Sequence, residues 1–274
     1  MAGLDESTRM MPFLAFITPP WHFPVVLDLW KWQVPVHPVC DVLAYFLGFR
    51  LHLYLKKRAP GPKLSYEQNA WIFVGCLFGA LIGAKILAWS EAPAFYWAMR
   101  NDPHFWFGGK TIAGGLLGGW IGVEIAKKSL GITSSTGDLC VYPLILGMCI
   151  GRVGCFLTGL SDNTCGVPTS LPWGVDYGDG IPRHPAQVYE ILFLLALGGV
   201  LWIKRASWTV PGLKFRWFMA GYLSFRFYID FFKPHWTLFG GLSGIQWGCL
   251  LGLLFCSYSL MKFSEHPLAE KSNG

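Results

Sequence analysis

The stretch GRVGCFLTG at residues 151–159, then a Gly/Pro/Asp-rich loop, then RHPAQVYE at residues 183–190, sets Arg152, His184 and Glu190 directly against apolar runs. After Glu190 the chain continues as ILFLLALGGVLWI with no charge before Lys204. Such runs approach the roughly 20 residues that cross a bilayer as a helix. A charge near the centre of a membrane helix costs at least about 2.5–3.5 kcal/mol on insertion scales, so each one needs a partner, water or a ligand.

Outward from this stretch the composition agrees: 53% of the 274 residues are hydrophobic and 14% are charged, where soluble domains carry about 25% charged residues. We read one all-α, polytopic membrane domain over 1–274. Seven spans are predicted at about 36–55, 71–89, 111–126, 139–157, 184–203, 215–232 and 243–263. Lys and Arg gather in the first, third and fifth connections and the tail, which places the N-terminus outside and the C-terminus in the cytoplasm. The loops at 90–110 and 159–183 then face outward. Asp5 and Glu6 stand where a signal peptide is basic, and Pro19-Pro20 cut its apolar run, so the opening segment reads as uncleaved.

The net charge of +6 comes from these short inner clusters and does not call for nucleic acid. Eight cysteines form no C-x-x-C pair, and most sit in apolar runs as small hydrophobes. With no Walker-type loop and no metal-spaced His/Asp cluster, neither a metal nor another cofactor is expected. Glycines 114, 115, 118, 119 and 122 of the third span make small-xxx-small pairs that let another helix approach closely.

Tyr222, Arg226 and Asp230 are spaced i, i+4, i+8 on one face of the sixth span. An Arg226–Asp230 ion pair is one reading of that spacing. Arg152 lacks a carboxylate in its own span, and Glu190 is its predicted partner. Two converging guanidiniums make a bidentate phosphate site, with the carboxylates orienting them, and we expect both in one cavity open to the outer leaflet. The 159–183 loop has the length and Gly/Pro/Asp content of a functional lid. His184 precedes Pro185 at a helix start, either as a titrating group or as an interfacial anchor.

GRVGCF, PTSLPWGV, RHPAQVYE and GYLSFRFYIDFF, in this order, resemble the prolipoprotein diacylglyceryl transferase family over most of the chain. The resemblance implies a seven-helix bacterial inner-membrane enzyme that moves diacylglyceryl from phosphatidylglycerol to the lipobox cysteine of a preprolipoprotein, releasing glycerol 1-phosphate. It implies catalytic roles for Tyr222 and Arg226, and substrate contacts from Arg152, Arg226, Glu190, Asp230, Gln187 and Tyr189. Partners are then phosphatidylglycerol, the lipobox peptide and membrane lipids. The chain also departs from the pattern. The family's H-G-G-L-x-G histidine falls on Ala113, its asparagine after G-R-x-G on Cys155, a glutamate on Leu160 and a first-helix tyrosine on Asp41. His184 is therefore the expected general base. A different acceptor, or a non-catalytic lipid-binding protein, are the competing readings.

Overall fold

The computed structural model describes residues 22–29, 32–59, 64–102, 108–208, 210–234 and 236–271, with side chains as far as Met261. The opening segment, residues 60–63 of the first basic connection and residues 103–107 of the 90–110 loop lie outside them. Among the described residues the helices are α1 (Val36–Arg58), α2 (Tyr66–Glu91), α3 (Pro93–Ala98), α4 (Ile112–Ser129), α5 (Val141–Thr158), α6 (Ala186–Ile203), α7 (Leu213–Ile229) and α8 (Gly244–Lys271). All but the short α3 fall on the predicted spans. Four of them, α2, α5, α6 and α8, are long and apolar enough to cross a membrane. The other three carry charges within their length, such as Arg50 in α1, Glu124 in α4 and Arg216 in α7.

The polarity of the helices is inverted relative to a soluble protein. Phe46 on α1, Phe78 on α2, Leu195 on α6 and Leu254 on α8 are exposed, while Glu190 and Asp230 are at most 1% exposed. Large apolar side chains turned outward on several long helices mark a lipid-facing surface. Local signals set the helix starts. Ser65 and Gln68 form a reciprocal capping box at α2, and the Thr111 hydroxyl accepts from the Gly114 amide at α4, each satisfying an amide that a helix start leaves open.

The chain forms two compact units. One comprises the described residues of Met1–Leu53 with Tyr142–Gly198 and Phe232–Pro234. Here the antiparallel hairpin β1 (Val26–Leu29) and β2 (Trp32–Pro35) leads into α1, and the Val25 amide donates to the Leu157 carbonyl at the end of α5. A Cβ added to Gly154 would lie 2.8 Å from the Cys40 Cβ, so this glycine is what lets α1 and α5 meet. A second small ribbon pairs β3 (Val175–Asp176) with β4 (Pro182–Arg183).

The other unit comprises the described parts of Tyr54–Val141, Gly199–Phe231 and His235–Gly274. Its centre is the contact of α2 with α4. Gly75, Gly79 and Gly83 lie against Gly122, Gly118 and Gly114, and a Cβ on any of the six would run into a carbonyl oxygen of the facing helix. The glycines of the third span thus do what their spacing predicts, and backbone meets backbone.

Candidate functional site

In the first unit, Arg152 on α5 meets Glu190 on α6. Nε lies 2.8 Å from Oε2, with the arginine side chain 7% and the glutamate 0% exposed. The two atoms are in ionic contact but lack the alignment of a hydrogen bond. A buried pair of this kind is costly to break, about 3–5 kcal/mol, because the survivor keeps an uncompensated charge.

The segment after α5 is tied down by side chains. A 3-10 turn over Gly159–Asp162 ends on Asn163 at φ 53°, a left-handed position that asparagine tolerates. The buried Gln187 side chain donates to Thr164 Oγ1 at 3.0 Å and to Cys165 Sγ at 3.5 Å, and it accepts from the Tyr177 hydroxyl at 3.1 Å. Burial raises both the Tyr177 hydroxyl and the Cys165 thiol, which keeps them neutral donors at working pH. At the ribbon's turn, Asp176 Oδ1 accepts from the amides of Gly178, Asp179 and Gly180. Asp179 pairs with Arg183 at 2.6 Å, and that guanidinium holds the Asp179 carboxyl below the usual carboxylate range.

His184 Nδ1 lies 3.2 Å from the Tyr189 hydroxyl, which accepts from Trp173 Nε1 at 2.8 Å. Its ring packs edge-on against Phe232, and its backbone pairs with Gly166 and Val167. His184 is thus an anchor of the loop and also a ring whose tautomer is tied to Tyr189. Only the form in which Nδ1–H donates to Tyr189 leaves Nε2 able to accept a proton.

In the second unit, Tyr222, Arg226 and Asp230 follow one face of α7 and are all buried. Arg226 Nη1 lies 2.8 Å from Asp230 Oδ1, again close without hydrogen-bond alignment. The other carboxylate oxygen accepts from Ser243 Oγ at 2.5 Å. Ser243 and Gln246 form the capping box of α8, and Gln246 Nε2 donates to the Phe227 carbonyl. Asp230 is therefore held from both sides, between Arg226 and Ser243. Ala113, where the resemblance sets a histidine, is fully buried in α4.

One cluster escaped the sequence reading. His37 Nε2 lies 3.3 Å from Asp162 Oδ1 and 3.5 Å from Cys155 Sγ, while Nδ1 lies 3.1 Å from Asp41 Oδ2. Arg152 Nη1 donates to Cys155 Sγ at 3.8 Å. The available signal was H-x-x-x-D at the start of α1, which alone reads as an interfacial helix end.

The sequence profile of the family described as prolipoprotein diacylglyceryl transferase matches residues 24–262. A phosphatidylglycerol–prolipoprotein diacylglyceryl transferase of Bordetella avium is 29% identical over 235 residues, covering 82% of this chain and 88% of the relative. Proteins of the same name from Bordetella parapertussis (32% identical, 82% and 90% covered) and Geobacter sulfurreducens (30% identical, 74% and 80% covered) match similarly.

Proposed function

Because the chain belongs to the prolipoprotein diacylglyceryl transferase family, we propose that it transfers the diacylglyceryl group of phosphatidylglycerol to the cysteine thiol of a prolipoprotein. One observation carries the reading: the family match runs through every segment that bears Arg152, Glu190, Tyr222, Arg226 and Asp230. The enzyme works in the bacterial inner membrane with seven helices spanning, its N-terminus outside, and it recognises the lipobox of a preprolipoprotein.

The thiolate sulfur attacks the glyceryl carbon that carries the phosphate ester. A C–S bond forms as the C–O bond breaks, and the phosphate leaves with the headgroup as glycerol 1-phosphate, gaining negative charge. Arg152 and Arg226 bind that phosphate, and their fork geometry stabilises the charge as it grows. Glu190 and Asp230 orient the two guanidiniums, and the Tyr222 hydroxyl serves the same donor. Gln187 and Tyr189 shape the substrate side of the loop, which gates access. His184 takes the thiol proton, with Ala113 in the place of the family's histidine.

The test incubates purified protein with labelled phosphatidylglycerol and a lipobox peptide. The expected products are thioether-linked peptide and glycerol 1-phosphate in equal amounts. Glycerol 1-phosphate with unmodified peptide would point to another acceptor, and neither product to a lipid-binding protein without catalysis.

A further inference from the structure

His37, Asp41, Cys155 and Asp162 all belong to the first unit, and none of the four has a part in the reaction assigned above. Nδ1 of His37 lies 3.1 Å from Asp41 Oδ2 and Nε2 lies 3.3 Å from Asp162 Oδ1, and a carboxylate oxygen only accepts. A neutral imidazole carries one N–H, so one of its nitrogens meets a carboxylate as a lone pair. Two acceptors at that distance repel unless a cation lies between them, either a second proton on the ring or a metal ion. Cys155 Sγ supplies a third donor on the same side, 3.5 Å from Nε2, and the ligand atoms of His37, Cys155 and Asp162 lie within 4.8 Å of one another.

The spacing fits a metal ion. With Zn–N near 2.05 Å, Zn–O near 2.1 Å and Zn–S near 2.3 Å, a tetrahedron has N···O edges of about 3.4 Å and N···S edges of about 3.6 Å. The observed 3.3 and 3.5 Å fall on those edges.

The outer partners are those of a metal site. Ligating histidines place their other ring nitrogen against a carboxylate, and His37 Nδ1 lies 3.1 Å from Asp41 Oδ2. The second oxygen of Asp162 accepts from Thr164 Oγ1 at 2.5 Å, and Thr164 is in turn held by Gln187. Arg152 Nη1 stands 3.8 Å from Cys155 Sγ, a cation beside the sulfur. The two anionic ligands neutralise a dication, and mixed N, S and O donors suit a borderline-soft ion of the zinc type.

We infer that His37, Cys155 and Asp162 bind one divalent transition-metal ion of the zinc class in tetrahedral geometry, with the fourth position open to water or an anion. The inference rests on this cluster's geometry and not on the transferase reading.

The experiment strips tag-free, full-length protein in detergent with a chelator and titrates it with Co2+. The expected result is one Co2+ per chain, with the visible bands of tetrahedral cobalt and a thiolate-to-cobalt charge-transfer band, both lost on adding Zn2+. Cys155→Ser removes the charge-transfer band, while Cys256→Ser, outside the cluster, leaves it. Asp41→Asn weakens binding by about 10- to 100-fold with the bands retained. Should Cys155→Ser fail to fold, alkylation mapped by mass spectrometry on the unaltered chain decides: Zn2+ is expected to protect Cys155 and to leave Cys76 reactive. A wild-type spectrum without the thiolate band, or one that Cys155→Ser leaves unchanged, overturns the inference. So does equal alkylation of Cys155 with and without Zn2+, which would assign the cation to a proton on His37.

Discussion

Arg226 meets Asp230, which Ser243 in turn holds from the start of α8, so its ion-pair partner is in place before any ligand arrives. Lysine keeps the charge but loses the fork. Arg226→Lys is expected to cut turnover by about 10²-fold while folded yield, read by size-exclusion chromatography, stays near wild type; equal loss of both would make the residue structural. A thiol with a reference pKa of about 8.5 must lose its proton to react. If His184 takes it, His184→Gln lowers turnover by about 10²-fold or more and flattens the acid limb of the pH–rate profile, with phosphatidylglycerol binding retained. An unchanged rate and profile would leave thiolate formation to the arginines. At this scale the sequence was readable where charge sits in an apolar run, as at Arg152, Arg226 and Asp230. It was silent at His37, because Cys155 lies 118 positions away and only the fold brings their helices together.

The helices themselves were legible from hydropathy and punctuation. Pro185 stands at the start of α6, and Lys56, Lys57 and Arg58 fill the last turn of α1. The partner of the glycine face on α4 was not legible, since small residues in several spans offer the same pattern. The α2–α4 contact leaves no room for a Cβ. Gly118→Val is therefore expected to destabilise by about 1–3 kcal/mol, read as a lower thermal midpoint in detergent; an unchanged midpoint would mean the helices sit further apart. In the β3–β4 turn, the depressed Asp179 carboxyl gives a signed pH effect. Its pairing with Arg183 contributes fully above the ordinary carboxylate pKa, about 3.9, and is lost as pH falls through the lower folded value. Acid-active protease should cut the 176–183 turn faster only at the acid end, and Asp179→Asn should cut fast at every pH; a turn equally resistant in both forms would remove the pair from its order.

On the scale of the chain, four helices among the described residues are long and apolar enough to cross a membrane. Three others, α1, α4 and α7, carry charges within their length, Arg50, Glu124 and Arg216 among them. Labelling can settle the orientation. A cysteine at Asp179 in an otherwise cysteine-free variant is expected to react with membrane-impermeant reagents from the outer face; reaction from the cytoplasmic side alone would reverse both the topology and the loop's role. The glycine contact has a consequence for how such a protein can change over generations. Its specificity is written in six absent side chains, so the lipid-facing positions of α2 and α4 are free to drift in size and shape as membranes differ. A saturation library should show two tolerant helices crossed by one narrow intolerant seam.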